Sequence, residues 1–362
     1  MARIVTIIGT RPEIIKMAPV VKALDALDHE HVLVHSGQHY DLLMDEIFFR
    51  DMQLRAPDYQ FELREQPPHL QVATTMRQIA NVARDADLVI VHGDTNTTLA
   101  GALLANKLGR RLAHVEAGIR SFDKTMPEEV NRIVADQLSD LKFAPTEIGR
   151  DNLAKENVHE GVHVVGNSVI DALLQNLPVA EAKSEILARL GLEKDRYILL
   201  TFHRAENVDR RERLVQALKA FEVAAREADR PIIFPVHPRT AKLLKETGLE
   251  ERAAAIASLK KIEPLGYLEM LALEKNAALV MTDSGGLQEE SCFLHVPCVT
   301  LRENTERPET LVIGANVLAG TEPSRVRAAV RRQLEVPRNW PNPYGDGTTG
   351  RRIASIVDAH LR

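Results

Sequence analysis

Cysteine is almost missing from this chain. Cys292 and Cys298 are the only two in 362 residues, too few for a disulfide scaffold and not spaced as a CxxC pair. Both flank an apolar stretch, where reduced, buried thiols are expected. No apolar run approaches the ~20 residues that cross a bilayer, which excludes a membrane-spanning helix. The N-terminus runs straight into an apolar strand pattern with no signal-peptide core or cleavage site, so the expected location is cytoplasmic. Basic residues form no block, and 46 Lys and Arg against 51 Asp and Glu leave a net charge of −5. A surface of that sign does not neutralise phosphate backbones, so nucleic acid is excluded as the main partner. Neither a GxxxxGK[ST] phosphate loop nor a GxGxxG dinucleotide fingerprint occurs. HExxH is absent too. His92 and Asp94 form an HxD pair, and His114, His203 and His237 fall at strand ends, but no tight His/Asp cluster marks a metal. The expectation is an enzyme without metal or cofactor.

What is present is a repeated pattern of short β-branched runs, each followed by a turn and an amphipathic stretch. At 362 residues the chain exceeds one ordinary core, and two domains of roughly 150–200 residues are expected. In the first half the strand candidates are Arg3–Ile8, His31–His35, Leu88–His92, Arg111–Val115, Leu141–Phe143 and Val162–Val165, with helices over Ile14–Leu27, Thr97–Leu108 and Pro127–Leu138. "DLVIVHGD" reads as a strand buried on both faces, which points to a parallel, doubly wound sheet. A second series begins near residue 195 with "YILLTFH", "PIIFPVHP", "LKKIEPL", "ALVMTDSGG" and "VPCVTL". The expected organisation is an N-terminal Rossmann-like domain over 1–168, a linker around 168–192, a second such domain over 169–347, and a closing helix over 348–362 packing back on the first. The two α/β domains are expected to face a central cleft.

Ligands of open α/β sheets bind beyond the carboxyl ends of the strands, and the unusual polar residues gather there. They are Arg11 with Lys16 one turn on, His92-Gly93-Asp94, Glu116, His203-Arg204, His237, and Asp283-Ser284-Gly285-Gly286 leading to Glu290. Each has a structural explanation beside the functional one. Asp94 can cap the next helix, Thr125 and Glu128 can close a capping box, and Glu128 and Arg132 have the i,i+4 spacing of a surface ion pair. Ser284-Gly285-Gly286 opens a helix after a strand, so its amides and the helix dipole can face a phosphate, while Glu290, a turn further, can accept ribose hydroxyls. Arg11, Lys16 and Arg307 can complete the charge on a diphosphate.

Together "GTRPEIIKMAP", "SGQHYD", "VHGDTNTTLAGAL", "HVEAGIRSFDKTMPEEVNR", "VVGNSVIDAL", "PVHPRT", "TDSGGLQEES" and "ENTERPET" resemble, in order and spacing, the non-hydrolysing UDP-N-acetylglucosamine 2-epimerases. The resemblance implies the GT-B arrangement of two Rossmann-like halves, a homodimer, and reversible inversion at C2 of UDP-GlcNAc to give UDP-ManNAc. It implies catalytic roles for Asp94, Glu116, Glu128 and His203. It implies UDP contacts at Arg11, Lys16, His237, Leu265, Met270, Ser284, Gly285, Gly286, Glu290 and Arg307, with Leu265 and Met270 near the base. Two stretches depart from the family pattern: "QHYDLLMDE" replaces a Gly-Gln segment, and "HRREN" has become His203-Arg204-Ala205-Glu206-Asn207. Gln38, His39 and Arg204 are the residues left to contact a second, activating substrate molecule. Competing readings are a 2-epimerase of a modified sugar such as UDP-2,3-diacetamido-2,3-dideoxyglucuronate, a hydrolysing epimerase, a GT-B glycosyltransferase, and a non-catalytic nucleotide-sugar sensor.

Overall fold

The computed structural model describes residues 1–38, 42–63 and 66–362, with backbone only for 42–46. It divides into two compact α/β units, one of residues 1–175 with 344–362 and the other of residues 176–343. His39 lies outside the described residues.

The first unit runs β1 (Arg3–Ile8), α1 (Arg11–Asp25), β2 (Glu30–His35), α2 (Leu42–Asp51), β3 (Tyr59–Gln60), α3 (Pro68–Ala83), β4 (Leu88–His92), α4 (Asn96–Leu108), β5 (Arg111–Val115), α5 (Pro127–Leu138), β6 (Leu141–Ala144), α6 (Glu147–Lys155), β7 (Val162–Val164) and α7 (Ser168–Lys183). Its strands form a parallel sheet in the order β3-β2-β1-β4-β5-β6-β7. The register sets Val5 beside Val32 on one side and Val89 on the other. All five residues of β4 are buried, as a central parallel strand covered on both faces requires. Helix α1 begins three residues before its apolar repeat does, because the Glu13 carboxylate reaches back to the Thr10 amide (2.8 Å) and holds the first turn.

The stretch read as a linker is largely helical, and the division between units falls within α7. Val169, Ile170, Ala172 and Leu173 are buried, so the helix gains its stability from packing and tolerates Pro178 in its interior.

The second unit runs α8 (Ile186–Leu190), β8 (Ile198–Thr201), α9 (Ala205–Val208), α10 (Arg211–Ala228), β9 (Ile232–Pro235), α11 (Pro238–Glu246), α12 (Glu250–Ala254), β10 (Leu259–Ile262), α13 (Tyr267–Asn276), β11 (Leu279–Thr282), α14 (Gly285–Phe293), β12 (Cys298–Thr300), α15 (Pro308–Val312), β13 (Asn316–Leu318) and α16 (Pro323–Glu335). The sheet order is β10-β9-β8-β11-β12-β13, again parallel. Its core joins Ile198, Leu200, Leu279 and Met281 to Phe221 and Phe234, with Phe202 meeting Phe221 edge-on at 5.3 Å. Both cysteines are buried here, and burial pushes each thiol up to about 12, leaving them unreactive.

The closing helix α17 (Thr349–Leu361) belongs to the first unit. Asp171 accepts from the amides of Thr349 (3.1 Å) and Gly350 (2.9 Å). A Cβ on Gly350 would lie 2.6 Å from the Pro19 carbonyl oxygen, so only glycine permits this approach of α17 to α1. Among the described residues no helix is long and apolar enough to cross a membrane.

Candidate active site

In each sheet the strand order reverses at one place, between β1 and β4 in the first unit and between β8 and β11 in the second. The crevice outside the carboxyl ends at such a switch point is where open α/β sheets bind ligands. Arg11, Lys16, His92 and Asp94 stand at the ends of β1 and β4, and His203, Ser284 and Gly285 at the ends of β8 and β11, while Glu116, His237 and Arg307 follow the neighbouring strands β5, β9 and β12.

In the first unit Glu13 ties the ends of β1 and β4 together. Its carboxylate accepts from the amides of Gly9 and Thr10 (2.8 Å each), from Thr10 Oγ1 (3.0 Å) and from Thr95 Oγ1 (3.0 Å). Burial nevertheless outweighs these donors and pushes the carboxyl up to about 7. One turn on, Lys16 forms an ion pair with Glu116; the two residues are only 8% and 5% exposed. Glu116 has φ +68°, a left-handed backbone that a non-glycine residue holds at a cost of about 1–3 kcal/mol and that clusters at functional sites. His92 Nε2 lies 3.7 Å from Glu116 Oε1, beyond hydrogen-bond reach. Burial drives the His92 ring down to about 4, so it is neutral at pH 7.

Asp94 is not the cap of α4; Thr95 is, accepting from the Thr98 amide at 3.2 Å. The Asp94 carboxylate pairs instead with the buried guanidinium of Arg132, and Asn131 donates to the Asp94 carbonyl at 2.9 Å. The capping box proposed for Thr125 and Glu128 does not form. The cap position is Met126, and Thr125 binds Asp123. The two glutamates of "PEE" then separate by burial. Glu129 is buried and accepts from the Ser121 amide (2.8 Å), Ser121 Oγ (2.9 Å) and the Phe122 amide (3.0 Å), so it builds the loop. Glu128 is half-buried in the first turn of α5. Gln38 Oε1 accepts from the amide (3.0 Å) and hydroxyl (2.8 Å) of Thr97, which anchors it to the start of α4. Arg11 opens α1, its guanidinium 6.0 Å from the Phe48 ring centre.

In the second unit Asp283 organises the loop after β8. It is fully buried and accepts from the amides of His203 and Arg204 (2.9 Å each) and from Asn207 Nδ2 (3.1 Å). The His203 ring stacks on His237 with centres 5.2 Å apart. Burial lowers the His203 pKa, against the opposing pull of Asp283. His237 Nδ1 accepts from the Arg239 amide at 3.2 Å, which leaves Nε2 as the donor. Ser284 caps α14 without a side-chain capping bond, so its first-turn amides lack that partner. Arg307 forms an ion pair with Glu289 and sets its guanidinium over Gly285, 3.7 Å from where a Cβ would stand. Arg302 fixes the following loop by binding Glu306 and Glu206. Glu290 accepts from the buried Tyr267 hydroxyl at 3.0 Å. Burial first, then Glu290, raises the Glu274 carboxyl well above its ordinary value. Leu265, in the β10–α13 connection, and Met270, on α13, are half-buried.

The structure thus joins Lys16 to Glu116, His203 to His237, and Gly285 to Arg307, while giving Asp94 a partner, Arg132, that spacing alone assigned to Glu128. Glu13, Glu289 and Tyr267 enter as further members. Glu13 was detectable as a Thr-x-x-Glu capping box; Tyr267 carries no local signal. Among the described residues no group of three or more His, Cys, Asp or Glu side chains is arranged to hold a metal ion.

The sequence profile described as UDP-N-acetylglucosamine 2-epimerase matches residues 22–358. The UDP-N-acetylglucosamine 2-epimerase of Methanococcus maripaludis is 47% identical over 362 residues, spanning 99% of this chain and 98% of its own. The UDP-2,3-diacetamido-2,3-dideoxy-D-glucuronate 2-epimerase of Pseudomonas aeruginosa is 38% identical over 361 residues, spanning 98% and 99%. The crystal structure of Methanocaldococcus jannaschii UDP-GlcNAc 2-epimerase in complex with UDP-GlcNAc and UDP matches with a TM-score of 0.94 at 47% identity, over 99% of both chains.

Proposed function

Because this chain belongs to the UDP-N-acetylglucosamine 2-epimerase family, we propose that it interconverts UDP-GlcNAc and UDP-ManNAc by eliminating and re-adding UDP at C1. The C2 hydrogen of a sugar is not acidic, since no carbonyl neighbours it. When UDP departs with the electron pair of the C1–O bond, positive charge develops at C1 and the C2 proton becomes removable. A carboxylate takes that proton and the electrons close a C1=C2 double bond, giving 2-acetamidoglucal. Protonation of C2 from the opposite face, with return of the phosphate oxygen to C1, gives the epimer. The scheme needs a diphosphate clamp and acid/base groups.

The observation that carries this reading is the pair of carboxylate–cation contacts at one switch point, Glu116 with Lys16 and Asp94 with Arg132. They supply acid/base groups whose charge is already balanced. We assign Asp94, Glu116 and Glu128 to proton handling at C2 and to the charge at C1. Arg11, Lys16, His237, Arg307 and the Ser284–Gly286 amides bind the diphosphate, Glu290 binds the ribose, and Leu265 and Met270 border the base. His203 donates to the leaving phosphate, whose negative charge draws a proton onto a ring that burial otherwise keeps neutral.

The test is incubation with UDP-GlcNAc in deuterated water, followed by NMR. Deuterium at C2 together with UDP-ManNAc is the expected result. UDP-GlcNAc left unlabelled overturns the assignment. The likeness to the Pseudomonas enzyme favours a second reading, epimerisation of UDP-2,3-diacetamido-2,3-dideoxyglucuronate, and comparing turnover on the two nucleotide sugars separates them.

A further inference from the structure

We propose that His114 and Asp136 form a buried positioning pair that fixes the two turns presenting Asp94 and Glu116. The inference rests on the roles given to those carboxylates above. Neither His114, on β5, nor Asp136, on α5, is exposed at all, so neither can touch a substrate. Their contacts run to the backbone on either side of the carboxylates.

His114 Nε2 lies 2.7 Å from the carbonyl oxygen of Gly93, the residue before Asp94, and Nδ1 lies 2.7 Å from Asp136 Oδ1. Each ring nitrogen therefore faces an oxygen acceptor, and each must carry a proton to satisfy it. The ring has no lone pair left to act as a base. The Gly93 amide donates to the Val115 carbonyl at 2.9 Å, so β5 holds both sides of the residue preceding Asp94. The other Asp136 oxygen accepts from the amide of Gly118 (3.1 Å), two residues past Glu116, and from Arg120 (2.7 Å). Arg120 is fixed in turn by Glu156 through bonds of 2.8 and 2.7 Å. Burial would raise the Asp136 carboxyl, but His114 and Arg120 together hold it below its ordinary range.

Gly93, Glu116 and Gly118 all have left-handed backbone, with φ of +68°, +68° and +77°. Such a turn persists at Glu116 only when its surroundings over-determine it. One carboxylate and one ring do this for both turns at once. Of the diphosphate contacts assigned above, the pair reaches Lys16 through Glu116 and not Arg307 or the Ser284–Gly286 amides, so it governs the chemical step more than UDP binding. A displacement of about 1 Å in reacting groups lowers rates by about 100-fold.

Two substitutions separate geometry from charge. In H114N a single short amide cannot span both acceptors. In D136N the amide nitrogen donates to His114 Nδ1 while the amide oxygen still accepts from Gly118 and Arg120, so the hydrogen bonds survive around a neutral ring. H114N is expected to lower kcat and C2 deuterium exchange by about 100-fold, and D136N by less than about tenfold. Both should keep UDP affinity, measured calorimetrically, within about threefold of the parent. The proposal is overturned if kcat of H114N stays within about threefold of the parent, if UDP affinity falls in step with kcat, or if D136N loses as much as H114N. NMR of protein labelled with 15N-histidine gives a readout without substrate. Two protected ring N–H protons are expected for His114 in the parent and one in D136N; a single one in the parent overturns the pair. Parent protein that fails to exchange C2 of UDP-GlcNAc overturns the proposed function instead, and the ring N–H count then decides the pair alone.

Discussion

Lys16, on the first helix, and Glu116, in the turn after β5, stand a hundred residues apart in sequence and close an ion pair that is almost wholly shielded from solvent. A cation assigned to the diphosphate and a carboxylate assigned to the sugar are each other's counter-charge. Neither can be removed without exposing the other.

Lys16→Met and Glu116→Gln should each destabilise the fold by about 3 kcal/mol, because each removes an ion-pair partner from a buried charge. The double variant should recover part of that loss, giving a coupling of about 1–3 kcal/mol from denaturant midpoints. Additive losses would mean the pair contributes nothing to stability.

Asp94→Asn should abolish deuterium incorporation at C2 while UDP still binds. The amide can accept from Arg132 and keep the site's shape, but it cannot take a proton. Persistent exchange at C2 would remove Asp94 from the acid/base role.

Glu128→Gln and Glu129→Gln should fail differently. The first should lower kcat by at least about 100-fold with an unchanged melting temperature. The second weakens the acceptor for Ser121 and Phe122, costing about 1–2 kcal/mol seen as a lower melting temperature. The reverse pattern would reassign the catalytic glutamate of the pair.

Gly285→Ala should fold normally, since a Cβ there meets Arg307 atoms no closer than 3.7 Å. The added methyl occupies the approach to the α14 amides, so UDP affinity should fall by about tenfold. Calorimetry showing parental affinity would place the phosphate elsewhere.

Two buried groups oppose each other as pH falls. The His92 pKa is driven down to about 4, so its contribution is present above about 6.5 and is lost as pH falls toward 4. The Glu13 pKa is pushed up to about 7, so its contribution is present below about 4.5 and is lost as pH rises to 7. Between pH 4.5 and 6.5 the two slopes have opposite signs. Glu13→Gln should therefore make stability fall more steeply on acidification, and His92→Asn should make it fall less, each by up to about 3 kcal/mol across that window. Unfolding midpoints at pH 4.5, 5.5 and 6.5 check the signs; parallel profiles for parent and variants would refute both.

Allocation of elements was readable wherever a short apolar run met a turn. Leu88–His92 and Arg111–Val115 have the same bounds in the fold as in the pattern. The two-residue β3 carries no such run; it is a strand because Tyr59 and Gln60 lie beside Val34 and His35. Residues 168–183, expected within a linker, form a helix because Val169, Ile170, Ala172 and Leu173 are buried. Among the glutamates, "PEE" offered two adjacent candidates. The sequence could rank them only by resemblance, whereas the loop hydrogen bonds to Glu129 give that residue a structural task.

Sequence alone determined the α/β class, the parallel strands and the gathering of polar groups at strand ends, because hydrophobic period and turn chemistry act over a few neighbouring residues. Tertiary structure alone decided who pairs with whom: Arg132 with Asp94 rather than Glu128, Lys16 with Glu116, His114 with both Gly93 and Asp136. Those partners come from different strands and helices. Burial, which turns a charge into one that must be matched, exists only after the sheet has brought them together.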